Sequence, residues 1–75
     1  MPQSDVYRIY VARTHGLRPL PGDYQDLDAA RNAFEKDHGE IRWCLVSRID
    51  LATERPTPVL HAEAAGTHVE WHPLI

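Results

Sequence analysis

The chain has 75 residues, 43% of them hydrophobic and 25% charged, with a net charge of −3. That is too apolar for disorder and too acidic for broad attraction to nucleic acid or anionic membrane. A domain this small buries only about 60% of the surface its unfolded form exposes, and one such core supplies roughly 3–5 kcal/mol. Few residues are left to wall an active-site cleft, which favours a binding module, or a subunit whose site forms between copies, over a self-contained enzyme.

Cys44 is the single cysteine, so neither an intrachain disulfide nor a cysteine zinc site is open to the chain. Met1-Pro2-Gln3-Ser4-Asp5 lacks a basic segment followed by an apolar stretch, the mark of a signal peptide. Apolar runs fall well short of the ~20 residues that span a bilayer. A cytoplasmic protein without membrane association is the expectation. The basic side chains are seven arginines and Lys36. Arginine suits bidentate and stacked contacts at interfaces, although a GC-rich genome produces the same bias.

In chain order, Val6 to Arg13 reads as a strand rich in β-branched and aromatic residues. Its alternation puts Tyr7, Ile9 and Val11 on one face and Val6, Arg8, Tyr10 and Ala12 on the other. His15-Gly16 signals a turn. Leu17 to Leu20 then pairs back as a short strand that Pro19 confines to a sheet edge, and Pro21-Gly22 ends it. From Asp26 to His38 the spacing predicts a helix. Asp26 is the N-cap, and Leu27, Ala30, Phe34 and His38 share one face with Ala33 beside them. Asp28, Arg31, Asn32, Glu35 and Lys36 line the opposite face, with Arg31 and Glu35 as an i,i+4 pair. Gly39 terminates the helix.

Ile41 to Leu51 reads as a second strong strand. Ile41, Trp43, Leu45 and Ile49 are assigned to the core, and Arg42, Cys44, Val46 and Arg48 to the other face. Asp50 to Pro58 is expected to be a loop. Pro58 to Ala64 and Thr67 to Leu74 then form a hairpin around Ala65-Gly66. The apolar pattern selects a loop of even length that turns Leu60, Ala62, Val69 and Trp71 inward, and the expected pairs are Glu63 with His68 and His61 with Glu70. The fold class is therefore α+β, in β-β-α-β-β-β order with the second strand short or absent. One amphipathic helix packs on one face of a mostly antiparallel sheet of about four strands. Tyr7, Ile9, Val11, Phe34, Trp43, Leu45, Ile49, Leu60, Val69 and Trp71 are the expected core, in a single domain.

A sheet with one face on a helix leaves its other face to water or a partner. Three constellations bear on that face and on the helix rim. Arg8 and Tyr10, with Arg42 and Arg48 if the two strands are neighbours, would make an Arg-rich patch with one aromatic. Such a surface anchors protein partners or stacks bases. Asp23, Asp26 and Asp28, continuing to Glu35, Asp37 and Glu40, form an acidic rim of the kind that docks onto basic partners; otherwise it is a capped, solvated helix. His61, Glu63, His68, Glu70 and His72 all point away from the core, a set able to ligate zinc or simply to serve as an opposite-charge ladder.

No catalytic motif appears. Cys44 reads as a structural thiol, Ser47 lacks nucleophile-elbow glycines, Glu63 and Glu70 have no evident pocket, and His38 suits the negative end of the helix dipole. The leading expectation is a non-catalytic module that binds a protein partner through the sheet face or through Asp23, Asp28 and Glu35 of the rim. A steric inhibitor or regulator of the type mobile elements deploy fits this description. A nucleic-acid-associated Arg/Tyr face is the alternative, disfavoured by the net charge. A zinc-binding hairpin is third, with no cofactor expected otherwise. A free face or strand edge also allows homodimerisation.

Overall fold

The computed structural model describes residues 5–74. The segment Met1 to Ser4, most of the stretch read above for signal-peptide character, lies outside the described residues, as does Ile75. The elements are β1 (Asp5–Arg13), β2 (Gly16–Pro19), α1 (Leu27–Lys36), β3 (Trp43–Asp50), β4 (Arg55–Ala65) and β5 (His68–Pro73). All strands join one sheet in the order β2-β1-β3-β4-β5, and every pairing is antiparallel. The α+β architecture and element order are those expected, with five strands rather than about four.

The helix forms where its periodicity places it. The Asp26 carboxylate accepts the Ala29 amide at 2.7 Å, satisfying one of the free donors of the first turn. The helix ends at Lys36 with Asp37 as its C-cap, two residues short of the expected His38, and Gly39 takes the left-handed φ of 56° in the turn beyond it rather than terminating it. Ala30 and Phe34 are buried against Ile9 and Val11 of β1, Cys44 and Val46 of β3, and Leu60 and Ala62 of β4. Ala30, Cys44 and Ala62 are small, which lets the helix sit close to the sheet.

The face assignment of β3 is opposite to the one expected. Antiparallel pairing sets Ile9 against Val46 and Val11 against Cys44, and directly opposed residues share a face. Cys44 and Val46 therefore lie beneath the helix, while Trp43 and Leu45 point to the uncovered side. Ile49 is buried as expected but stands outside the helix-side cluster, opposite Val6. The physical reason is that β3 is the central strand and carries apolar residues on both faces, so alternation alone does not select a side.

β4 begins at Arg55, within the stretch expected to be loop. The β3–β4 turn is only residues 51–54, closed by the Glu54 amide on the Asp50 carbonyl (2.6 Å) and the Ala52 amide on the Asp50 carboxylate (2.9 Å). Pro56 and Pro58 are tolerated because β5 pairs only from Leu60 onward, so this half of β4 is a sheet edge where a missing amide costs little. Val59 is an extra residue opposite the Val46/Ser47 step, a β-bulge.

The hairpin has the expected parity and faces, but its register is shifted by two residues. Ala65 pairs with His68 around the two-residue turn Gly66-Thr67. Gly66 has φ 62°, a value glycine reaches without the steric cost of a side chain. Consequently His61 opposes His72 and Glu63 opposes Glu70, in place of the expected opposite-charge pairs.

Candidate functional site

The registers lay out the uncovered face as rows running across the strands. One row is Tyr10, Leu45, His61 and His72; the next is Trp43, Glu63 and Glu70. On the other side of the first row run Arg8, Ser47 and Pro58, then Val6, Ile49 and Pro56. Leu17 of β2 joins this face opposite Ala12.

The face divides into two halves. Toward β1 and β2, Tyr10, Leu17, Leu45, Ser47, Pro56 and Pro58 line a shallow apolar groove of about 210 Å³. Leu17 is 48% exposed, among the largest exposures of any bulky apolar residue described. Toward β5 the rings stack: Trp43 on His61 at 6.5 Å and His61 on His72 at 4.8 Å between centroids. His72 Nε2 lies 3.4 Å from Glu70 Oε1. Among the described residues no three His, Cys, Asp or Glu side chains converge as metal ligands.

Arg8 and Tyr10 lie on this face, but Arg42 and Arg48 do not join them. Arg48 opposes Tyr7 on the helix side and lines a separate concavity with Asp5, Asp50 and Arg55. Arg42 lies beside His38, Glu40 and Ile41 beyond the end of the helix. The four-residue Arg/Tyr patch is thus not formed, because the inverted face of β3 carries both arginines with it. Arg8 is itself engaged. Its guanidinium forks onto the Asp23 carboxylate at 2.7 and 2.9 Å, which holds that carboxyl below its ordinary pKa and raises the guanidinium. Asp23 reaches Arg8 because Tyr24 bridges to the backbone of Tyr7 at the edge of β1.

The acidic rim is also largely committed to the fold. Asp26 caps the helix. Glu35 accepts the Trp71 indole N–H at 2.6 Å, and Arg31 lies over the Trp71 ring at 5.4 Å and reaches Asp28 at 3.8 Å. The expected Arg31–Glu35 pair is replaced by this arrangement around Trp71, which clamps the helix to β5. Asp28 remains open, its side chain 86% exposed. His38 stacks on Phe34 at 5.3 Å, with Nδ1 3.2 Å from the Phe34 carbonyl and Nε2 3.3 Å from that of Gly66, which sets it between helix end and hairpin turn. Burial pushes the Cys44 thiol up to about 12, so it stays protonated.

The features that sequence reasoning missed are the groove and the Trp43–His61–His72 stack. The two prolines flanked by strand-forming residues were the available signal for the groove. Compared with protein-family models, curated proteins and solved structures, the chain matches none.

Proposed function

We propose that the chain is a non-catalytic binding module that docks a protein partner on the uncovered sheet face, in the manner of a small inhibitor or regulator. The observation that carries this reading is the apolar strip of Tyr10, Leu17, Leu45, Pro56 and Pro58, which continues to Trp43. Aromatic and aliphatic residues clustered on a rigid strand surface lose little conformational entropy on binding, and they make the buried anchors of protein interfaces. A polar border of Arg8, Asp23, Glu63 and Glu70 supplies the rim.

The test compares affinity capture from the native host by the wild-type chain, by Leu45→Lys and by Asp28→Asn. One stoichiometric protein recovered by wild type and Asp28→Asn, and lost with Leu45→Lys, supports the reading. Equal recovery by all three overturns it. Light scattering adds a second arm, since a wild-type dimer that becomes monomeric in Leu45→Lys makes the partner another copy of the chain. The stacked Trp43–His61–His72 row favours a second reading, base stacking on a single strand. Salt-sensitive binding of a generic oligonucleotide would replace the protein partner with nucleic acid. The opposed Glu63 and Glu70 weigh against it.

A further inference from the structure

We infer that the free edge of β5 pairs antiparallel with β5 of a second copy of the chain, about a two-fold axis through Trp71, so that two sheets become one. β5 ends the strand order, and among the described residues no strand lies beyond it. Its neighbour β4 takes up alternate backbone groups. Ala65 and His68 close the hairpin turn, and the Leu74 amide donates to the Val59 carbonyl at 3.0 Å. The residues between that turn their amides and carbonyls to β4 are therefore Glu70 and His72, along with His68 itself. Val69 and Trp71 present theirs outward, and Pro73 its carbonyl.

The other free edges are blunted. β2 is four exposed residues that end in Arg18-Pro19, and the first half of β4 carries Pro56 and Pro58; short length, basic side chains and proline all discourage pairing. β5 runs for six residues with no lysine or arginine, and its proline comes only at the last position. Its carboxylate, Glu70, selects the occupant. Within one chain like lies opposite like, Glu63 against Glu70 and His61 against His72. Glu70 and His72 share a face, 3.4 Å apart. An axis through Trp71 sets Glu70 opposite His72 of the second copy, and His72 opposite its Glu70. Each row across the junction then runs Glu63, Glu70, His72, His61, so that carboxylates meet imidazoles. An imidazole donates to a carboxylate whether neutral or charged, and opposite-charge cross-strand pairs stabilise a sheet. In this register the two Trp71 residues exchange amide and carbonyl, and each Val69 amide donates to the Pro73 carbonyl of the other copy. An axis through Glu70 would instead oppose Glu70 to itself, which is unfavourable. The edge lies away from the groove beside β1 and β2, so this contact stands or falls separately from docking there.

Sedimentation equilibrium on the full chain reads the contact. Wild type should pass from monomer to dimer as concentration rises, and Leu45→Lys should do the same. Glu70→Lys should weaken the dimer at least tenfold, by setting an ammonium against His72 of the second copy, and adding His72→Glu should restore it. Methylation of the Val69 amide, introduced by chemical synthesis, should abolish the dimer and leave the far-ultraviolet circular dichroism of the wild type. A chain that stays monomeric at millimolar concentration overturns the contact. So does a dimer that survives both Glu70→Lys and the methylated amide, or one lost in Leu45→Lys, which would put the second copy on the sheet face instead.

Discussion

On one side of the sheet Phe34 lies over Ile9, Val11, Cys44, Val46 and Ala62, each no more than 2% exposed. On the other side Tyr10, Trp43 and Leu45 are only half-buried, and Leu17 stands in solvent. The same strands supply both faces, so the difference is one of cover. Ten helical residues close one side; on the uncovered one Ser47 and Ile49 are buried, and the rows of Tyr10, Leu17, Trp43 and Leu45 stay at the surface. The buried core thus lies on one side of the sheet, and the proposed docking surface on the other.

That division is open to direct attack. Phe34→Ala should cost about 3–5 kcal/mol, comparable to the whole margin of so small a domain, and leave the chain largely unfolded by circular dichroism. Leu45→Ala removes half-exposed surface and should cost about 1 kcal/mol in urea unfolding. Equal losses at the two positions would break the comparison. The helix clamp is next in size. Trp71→Phe deletes the indole donor to Glu35, and Asp26→Ala deletes the cap. Each should lower stability by about 1 kcal/mol without disturbing the uncovered face.

Arg8–Asp23 is a charged pair at the uncovered face, with side chains 32% and 36% exposed. Solvent screening limits it to about 1 kcal/mol or less. Asp23 titrates below its ordinary value in the folded state. Its contribution is therefore present above the unfolded value of about 3.9 and fades as pH falls through the lowered folded one. The stability difference between wild type and Asp23→Asn should shrink below about pH 4; a constant difference would exclude the pair as its source. Glu63→Gln is the smallest expected effect, a gain of a few tenths of a kcal/mol from relieving the Glu63–Glu70 opposition.

The helix was legible because its two signals agree, the Leu27–Ala30–Phe34 spacing and the Asp26 cap. The inward residues of the hairpin were legible because Leu60, Ala62, Val69 and Trp71 fit only one parity. Its exact register was not, because Ala64 and Ala65 are both small and apolar and either can close the turn. β3 was the hardest, since Trp43, Leu45 and Ile49 outweigh Cys44 and Val46 in volume and drew the core assignment to the wrong side. What a close-fitting helix needs beneath it is small residues, and the bulky ones are displaced to the uncovered face. The loss of the Arg42 and Arg48 patch and the appearance of the Trp43–His61 stack both follow from that inversion.

Cys44 lies near the start of the central strand with no exposed surface, its thiol held protonated by its surroundings. A thiol reagent can reach it only when helix and sheet part. The chain therefore carries a built-in clock for its own opening. Labelling rates at Cys44 would follow the globally open population, whereas binding on the far side of the sheet would slow the reaction only as far as it stabilises the whole domain.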